Sequence, residues 1–376
     1  MSPAVWVAVG TRPEAIKMAP VALGLRQAGL TVAVCTTGQH PAATAEALAA
    51  LDVPIDVALP PVPAGTPLAG ILGQIARGLA SALVADPPRL VLVHGDTTGA
   101  LGAALGAGYA RVPVGHVESG LRTGDPLAPF PEELNRRAID HLSALWLAPT
   151  AHARDQLVRE GCAPEAIHVT GNPVVDALEA MRARVCDQPL DTFPTLRQHE
   201  RLRGAPGPRP LAVVTAHRRE HQGPELLGIC DAVRQLATRG VTVVWPVHPN
   251  PEVDGPVRRA LHDVAGVVLT DALPYPAFVR LLLAADLVLT DSGGVQEEAA
   301  CLGRPTLVLR ARTERPEVLD TGVVRVIGTA PADVVDAALA WLADPPRARP
   351  GVAPLGDGRA GVRIGGVVAA WLAERP

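Results

Sequence analysis

Two doubly wound α/β domains are what this 376-residue chain predicts, and three observations carry that reading. Short, continuous β-branched runs alternate with helical stretches almost throughout, the pattern of parallel strands covered on both faces. The alternation breaks once, over residues 186–210, which are rich in Pro, Arg and Gly and read as a surface connection. The length suits about two domains at ~150 residues each.

The first series has strand candidates at 5–9, 31–36, 90–93, 112–117 and 144–147, with helical candidates at 15–27, 68–84 and 132–142 between them. The second has strands at 211–214, 241–245, 267–269, 287–289 and 306–309, with helices at 224–237, 277–283 and 295–302. The first ten residues carry no basic segment and read as a strand rather than a signal peptide. With aromatic residues at only 3%, both cores must be built from Val, Leu, Ile and Ala.

Several function classes drop out. A net charge of −4 argues against a nucleic-acid binder driven by bulk electrostatics. No apolar run reaches the ~20 residues of a membrane span; the nearest, 68–85, is interrupted by Gln74 and Arg77. Cys35, Cys162, Cys186, Cys230 and Cys301 are odd in number and form no CxxC, which disfavours a disulfide framework or thiolate zinc site and suits a reduced cytoplasmic protein. The histidines lack metal-ligand spacing, so no metal is expected. The segment 356–361 matches GxGxxG literally, but no strand precedes it and too few residues follow to supply the acidic partner ~20 positions on, so it marks no nicotinamide site.

The polar residues collect just past the strand ends. His94-Gly95-Asp96, His116-Val117-Glu118, Thr215-Ala216-His217, His248 and Thr290-Asp291-Ser292 all sit there. Ligands of open parallel sheets bind outside the strand carboxyl ends, so a cleft between two facing domains is expected. Ser292-Gly293-Gly294 opens a helix after a strand, a place suited to phosphate, and Glu297 or Glu298 can reach back toward a ribose hydroxyl. Gly10-Thr11-Arg12-Pro13-Glu14 is the counterpart in the first domain. Arg12 and Lys17, at a helix start where acids are normally preferred, point to an anion such as a diphosphate. Lys17 is the one Lys among 34 basic residues; base composition accounts for the ratio. Arg315 adds positive charge, and Phe278 is either a base-stacking ring or an ordinary core residue. Asp96, Glu118, Glu132 and Glu133 group carboxylates near this cation-rich region, which suits acid/base work on a sugar.

Together these motifs resemble the bacterial non-hydrolysing UDP-N-acetylglucosamine 2-epimerases. The resemblance rests on Gly10 to Pro20, His94 to Thr98, His116 to Thr123, Phe130 to Arg136, Thr170 to Pro173, His217 to Glu220, Thr290 to Glu298 and Thr313 to Glu317, in order along nearly the whole chain. It implies a glycosyltransferase-B-like architecture with two Rossmann-like domains: 1–172, to which a helix at 360–376 crosses back, and 173–359, hinged near Asn172 to Asp176. It implies C2 inversion of UDP-GlcNAc to UDP-ManNAc without cofactor or metal, in a homodimer. Asp96, Glu118 and Glu132 would be the acid/base and cation-stabilising carboxylates. His217 would contact the diphosphate or assist proton transfer, and Arg12, Lys17, Phe278, Ser292, Gly293, Gly294, Glu298 and Arg315 would bind UDP. A sugar transferase of the same architecture, a hydrolysing epimerase and an epimerase of a 2,3-diacetamido uronate remain alternatives. One departure stands out. In the family, Gln-His is typically followed by a long polar segment that helps bind a second UDP-GlcNAc as activator; here Gln39-His40 is followed by Pro41-Ala42-Ala43-Thr44.

Overall fold

The computed structural model describes residues 3–197, 209–218, 221–351 and 353–375. Residues 198–208 of the expected connection, and Arg219 and Glu220 of one motif, lie outside the described residues. The chain forms two compact units, Met1–Ala180 with Leu355–Pro376, and Met181–Pro354. The divides fall several residues from 172/173 and 359/360. The helix Pro173–Val185 starts in the first unit, where Val174, Ala177 and Leu178 are buried, and Leu355 accepts a hydrogen bond from the Asn172 amide at 2.7 Å.

Each unit is built on one parallel sheet. The first has seven strands, β1 (Val5–Val9), β2 (Val32–Thr36), β3 (Val57–Ala58), β4 (Leu90–His94), β5 (Val114–Val117), β6 (Leu145–Ala148) and β7 (Ile167–Val169), in the order β3-β2-β1-β4-β5-β6-β7. The second has six, β8 (Leu211–Thr215), β9 (Thr242–Pro246), β10 (Val267–Thr270), β11 (Leu287–Thr290), β12 (Thr306–Val308) and β13 (Val324–Val326), in the order β10-β9-β8-β11-β12-β13. The central strands read as unbroken apolar runs because both faces are covered; β1 and β4 are buried at every residue. Strand order reverses between β1 and β4, paired Val5 with Leu90, and between β8 and β11, paired Ala212 with Leu287. Such reversals open the crevices where ligands of α/β sheets bind, so the loops after these four strands are the places to examine.

Glycines let helices approach where local propensity alone would not favour them. Thr98–Tyr109 contains four glycines and no helical signature, yet it is helical; a Cβ on Gly106 would lie 2.6 Å from the Ala76 carbonyl oxygen of the helix Leu68–Ala85. The same device joins the chain's ends. A Cβ on Gly24 would lie 2.0 Å from the Gly361 carbonyl oxygen, so the helix Ala360–Ala373 packs backbone to backbone on the helix Arg12–Gln27. The Asp176 carboxylate accepts from the amides of Ala360 and Gly361, at 3.1 and 2.8 Å, and caps that last helix.

Leu68–Ala85 is helical, as expected for 68–84, and Gln74 donates from its side chain to the Pro61 carbonyl at 3.1 Å. By length and composition it is long and apolar enough to cross a membrane. Here its stripe of Ile75, Leu79 and Leu83 enters the first core beside Val91 and Val93.

Candidate active site

In the first unit, β4 and β5 deliver His94, Asp96, His116 and Glu118 to the switch point. Glu118 has φ +65°, a left-handed backbone that a non-glycine residue adopts at a cost. Its side chain is fixed from three directions. Lys17 Nζ donates to Oε1 at 2.6 Å, Asn172 Nδ2 donates to the same oxygen at 2.8 Å, and His94 Nε2 lies 3.2 Å from Oε2. Lys17 and Glu118 are both buried. His94 is buried as well, and burial pushes its pKa down to about 4, against the pull of Glu118. It is therefore a neutral ring near pH 7.

Asp96 is held by Arg136, whose Nε donates to Oδ2 at 3.0 Å. His116 has Nδ1 2.6 Å from Asp140 and Nε2 2.8 Å from the Gly95 carbonyl oxygen. Arg122 joins Asp140 at 2.8 Å and Glu160. Burial opposes ionisation of Asp140, but its interactions with His116 and Arg122 outweigh it and keep its pKa low. The helix behind this network, Glu132–Leu142, is inverted. It buries Glu133, Arg136 and Asp140 and exposes Leu134 and Leu142. Glu132, half-buried, opens the helix. Glu14 ties the loop after β1 to the loop after β4, accepting from the Thr11 amide at 2.8 Å and from the Thr97 hydroxyl. Burial raises its pKa, and those hydrogen bonds work the other way.

In the second unit, the helix Gly293–Cys301 starts directly beyond β11. A Cβ on Gly293 would lie 2.6 Å from Arg315 Nη1, whereas Gly294 faces open space. The Arg315 guanidinium is thus stacked against the helix start, where backbone N–H groups already favour an anion. Glu297 holds Arg315 Nε, and Glu314 holds its Nη1 at 2.7 Å. Glu314 also binds Arg310 at 2.6 Å and Arg218 at 3.3 Å. Burial raises Glu314, but the charges of Arg315, Arg218 and Arg310 overcome that and hold it well below the usual carboxylate range. Asp291, fully buried, accepts from the amides of His217 and Arg218 at 2.9 Å and lies 3.0 Å from His221 Nδ1. His217 stacks on His248 with ring centroids 5.0 Å apart. It keeps 35% of its side-chain surface open; desolvation still lowers its pKa, against the charge of Asp291.

The structure gathers the residues expected from the sequence into two groups. Asp96, Glu118 and Lys17 converge in the first unit; Ser292, Gly293, Gly294, Glu298, Arg315 and His217 surround the strand ends of the second. Two cations are placed differently from expectation. Lys17 lies on the inward face of its helix and is committed to Glu118, while Arg12 turns to Glu46 at 2.8 Å. Phe278 lies half-buried against the second core. Sequence reasoning placed His94, His116 and Asp291 past strand ends, and Arg122, Arg136, Arg218 and Glu314 within the resembling segments, without giving them roles at the site; Asp140, His221 and Arg310 it did not single out. The inverted helix was a usable signal, since Glu133, Arg136 and Asp140 share one face at helical spacing.

Comparison with known proteins agrees. A family model described as UDP-N-acetylglucosamine 2-epimerase matches residues 24–369. The chain is 44% identical to a UDP-N-acetylglucosamine 2-epimerase of Yersinia pestis, over 89% of each chain. It is 42% identical to one of Escherichia coli K12, over 94% of this chain and 95% of the other. Among solved structures it resembles the UDP-GlcNAc 2-epimerase of Neisseria meningitidis bound to UDP-GlcNAc, with TM-score 0.90, 34% identity, and 99% and 100% of the two chains covered. The Methanocaldococcus jannaschii enzyme in complex with UDP-GlcNAc and UDP gives TM-score 0.85 at 28% identity, covering 97% and 99%.

Proposed function

The chain belongs to the UDP-N-acetylglucosamine 2-epimerase family, and from that premise we propose that it interconverts UDP-GlcNAc and UDP-ManNAc without net hydrolysis. The observation that carries the reading is the Glu118 carboxylate, held in strained backbone by Lys17 and Asn172 beside neutral His94. Strain that the surroundings over-determine is characteristic of functional positions.

The C2 proton of a 2-acetamido sugar has no neighbouring carbonyl to stabilise a carbanion. Breaking the C1–O bond first solves this. UDP leaves with the electron pair, cationic character builds at C1, and C2–H becomes acidic. A carboxylate takes that proton and a 2-acetamidoglucal remains. A proton delivered to the opposite face of C2, with return of UDP to C1, completes the inversion. Asp96, Glu118 and Glu132 supply the proton-handling and cation-stabilising groups. Ser292, Gly293, Gly294 and Arg315 receive the diphosphate, where a helix start and a guanidinium favour negative charge. Glu298 and Phe278 serve the nucleoside, and His217 the diphosphate or the proton. Arg12 and Lys17 act from the first unit, Lys17 through Glu118. A homodimer and a cytoplasmic setting belong to the same reading, and five free thiols suit a reducing compartment.

Incubation with UDP-GlcNAc in deuterated water tests it. The expected product is UDP-ManNAc carrying deuterium at C2, with no accumulation of UDP and free ManNAc. Accumulation of those two products would assign the hydrolysing reaction instead, and a product without deuterium would overturn the proton-transfer route. Light scattering checks the dimer.

A further inference from the structure

One guanidinium in the first unit faces two carboxylates at once. Arg136 is buried. Its Nε and Nη2 both donate to Asp96 Oδ2, the former at 3.0 Å, and its Nη1 donates to Glu133 Oε2 at 3.2 Å. Glu133 is fully buried, and its carboxylate accepts from the backbone amides of Thr123 at 3.0 Å and Gly124 at 3.3 Å. Asn135 donates to the main-chain carbonyl of Asp96 at 2.9 Å. Three residues of one helix therefore grip the backbone of Asp96, its carboxylate and the loop that follows β5.

The grip is one-sided. Both guanidinium bonds end on Oδ2, and among the described residues Oδ1 has no hydrogen bond, while the Asp96 side chain keeps 24% of its surface open. A planar fork on one oxygen fixes the rotation of a carboxylate and leaves the other oxygen for chemistry. A helix that turns charged residues inward while exposing Leu134 and Leu142 is not arranged for packing alone.

We propose that Arg136, braced by Glu133, is the positioning residue for Asp96. It sets the orientation in which the free Asp96 oxygen meets the sugar, and through Glu133 it couples that orientation to the loop at Thr123 and Gly124. The proposal rests on the reading of Asp96 as a proton-handling group of the UDP-sugar reaction. Lysine cannot replace Arg136, because a single ammonium offers no planar fork to hold Asp96 and Glu133 together.

The test compares the unmodified enzyme with Arg136→Ala, Arg136→Lys and Glu133→Gln in UDP-GlcNAc epimerisation. Both Arg136 variants should lose kcat by roughly 10²-fold, the scale of a misplaced reacting group, with KM for UDP-GlcNAc changing less than about 3-fold. Added guanidinium chloride should restore kcat of Arg136→Ala by about 10-fold by refilling the fork, and leave Arg136→Lys unchanged. A residue serving only the fold would show no such rescue. A kcat for Arg136→Lys near that of the unmodified enzyme overturns the proposal, as does a folded Arg136→Ala that guanidinium does not rescue. Should Arg136→Ala fail to fold, the near-isosteric Glu133→Gln carries the question. It should cost about 10-fold in kcat at constant KM, and an unchanged kcat overturns the bracing. An unmodified chain that makes no UDP-ManNAc overturns the functional reading and this proposal with it; an active chain with unaffected variants overturns this proposal alone.

Discussion

The two units present the same backbone geometry and group their charges differently. Past β4 and β5, each carboxylate is held by a named cation or ring: Glu118 by Lys17, Asp96 and Glu133 by the one Arg136, Asp140 by Arg122 and His116. Past β8 and β12, three guanidiniums crowd around Glu314, one of them also on Glu297, beside the glycine-backed helix start that follows β11. A network of fixed orientation suits moving a proton between defined positions. A guanidinium packed on a helix start, with room at Gly294, suits holding a large anion and letting it go. Chemistry and binding are therefore separable by mutation, and the following outcomes test that separation.

The largest effects belong to the first unit. Asp96→Asn, Glu118→Gln and Glu132→Gln should each lower kcat by roughly 10²-fold or more, with smaller changes in UDP affinity. Near-normal turnover in all three would break the comparison. Glu118→Gln should also cost stability, because it removes the carboxylate charge paired with the buried Lys17 ammonium, at about 3 kcal/mol by urea unfolding. Lys17→Arg is expected to be harmful too, since a bulkier guanidinium must fit a buried position.

Acid should loosen the first unit's site through His94. His94 binds a proton at about 4 when folded and at 6.5 when unfolded, so the unfolded chain holds more protons across that window. Stability from this source is complete above pH 6.5 and is lost as pH falls toward 4. The total is of the order of 3 kcal/mol, at about 1.4 kcal/mol per pH unit. Asp291 and Glu314 are held below their ordinary values, so their contributions persist until the pH drops beneath the normal carboxylate range. Urea midpoints at pH 7 and 4.5 check this, and the difference should shrink in His94→Gln.

Gly293→Ala isolates the second unit. Its new methyl group would fall 2.6 Å from Arg315 Nη1 and displace the guanidinium. UDP affinity by calorimetry should weaken by about 10-fold, while deuterium exchange at C2 under saturating substrate changes less. A fall in exchange equal to the loss of binding would show that the two regions do not act separately.

The smallest effect concerns regulation. Pro41 starts the helix Pro41–Ala50 after His40, and Pro41 and Ala42 offer no side-chain donor or acceptor where related enzymes carry long polar groups. Hyperbolic kinetics in UDP-GlcNAc are expected, with conversion of pure UDP-ManNAc showing no lag. A lag abolished by a trace of UDP-GlcNAc would show that the activator site persists.

What the sequence disclosed follows from which interactions are local. The central strands were legible because burial on both faces demands unbroken apolar runs; β1 and β4 are examples. The edge strands β3, β7 and β13, of two or three residues, impose no such demand and went unseen. Asp96, Glu118 and Ser292 stood out because polar residues directly after buried strands need a reason. Their pairings were not legible, because Lys17 lies 101 positions from Glu118 and Arg136 lies 40 from Asp96. Lys17 reads from the sequence as a diphosphate ligand; its contact with Glu118 comes from the packing of its helix, which places it on the buried face.

The seam at Gly24 and Gly361 also dictates an order of assembly during synthesis. The first 180 residues emerge from the ribosome without the segment that covers the helix Arg12–Gln27, which lies beyond residue 354. The unit begun first is thus the last to be completed, and the whole of the second unit is translated while that surface waits. Domains generally fold as units as they emerge, so nascent chains stalled before residue 360 should display the uncovered helix to chaperones even when the second unit is already native.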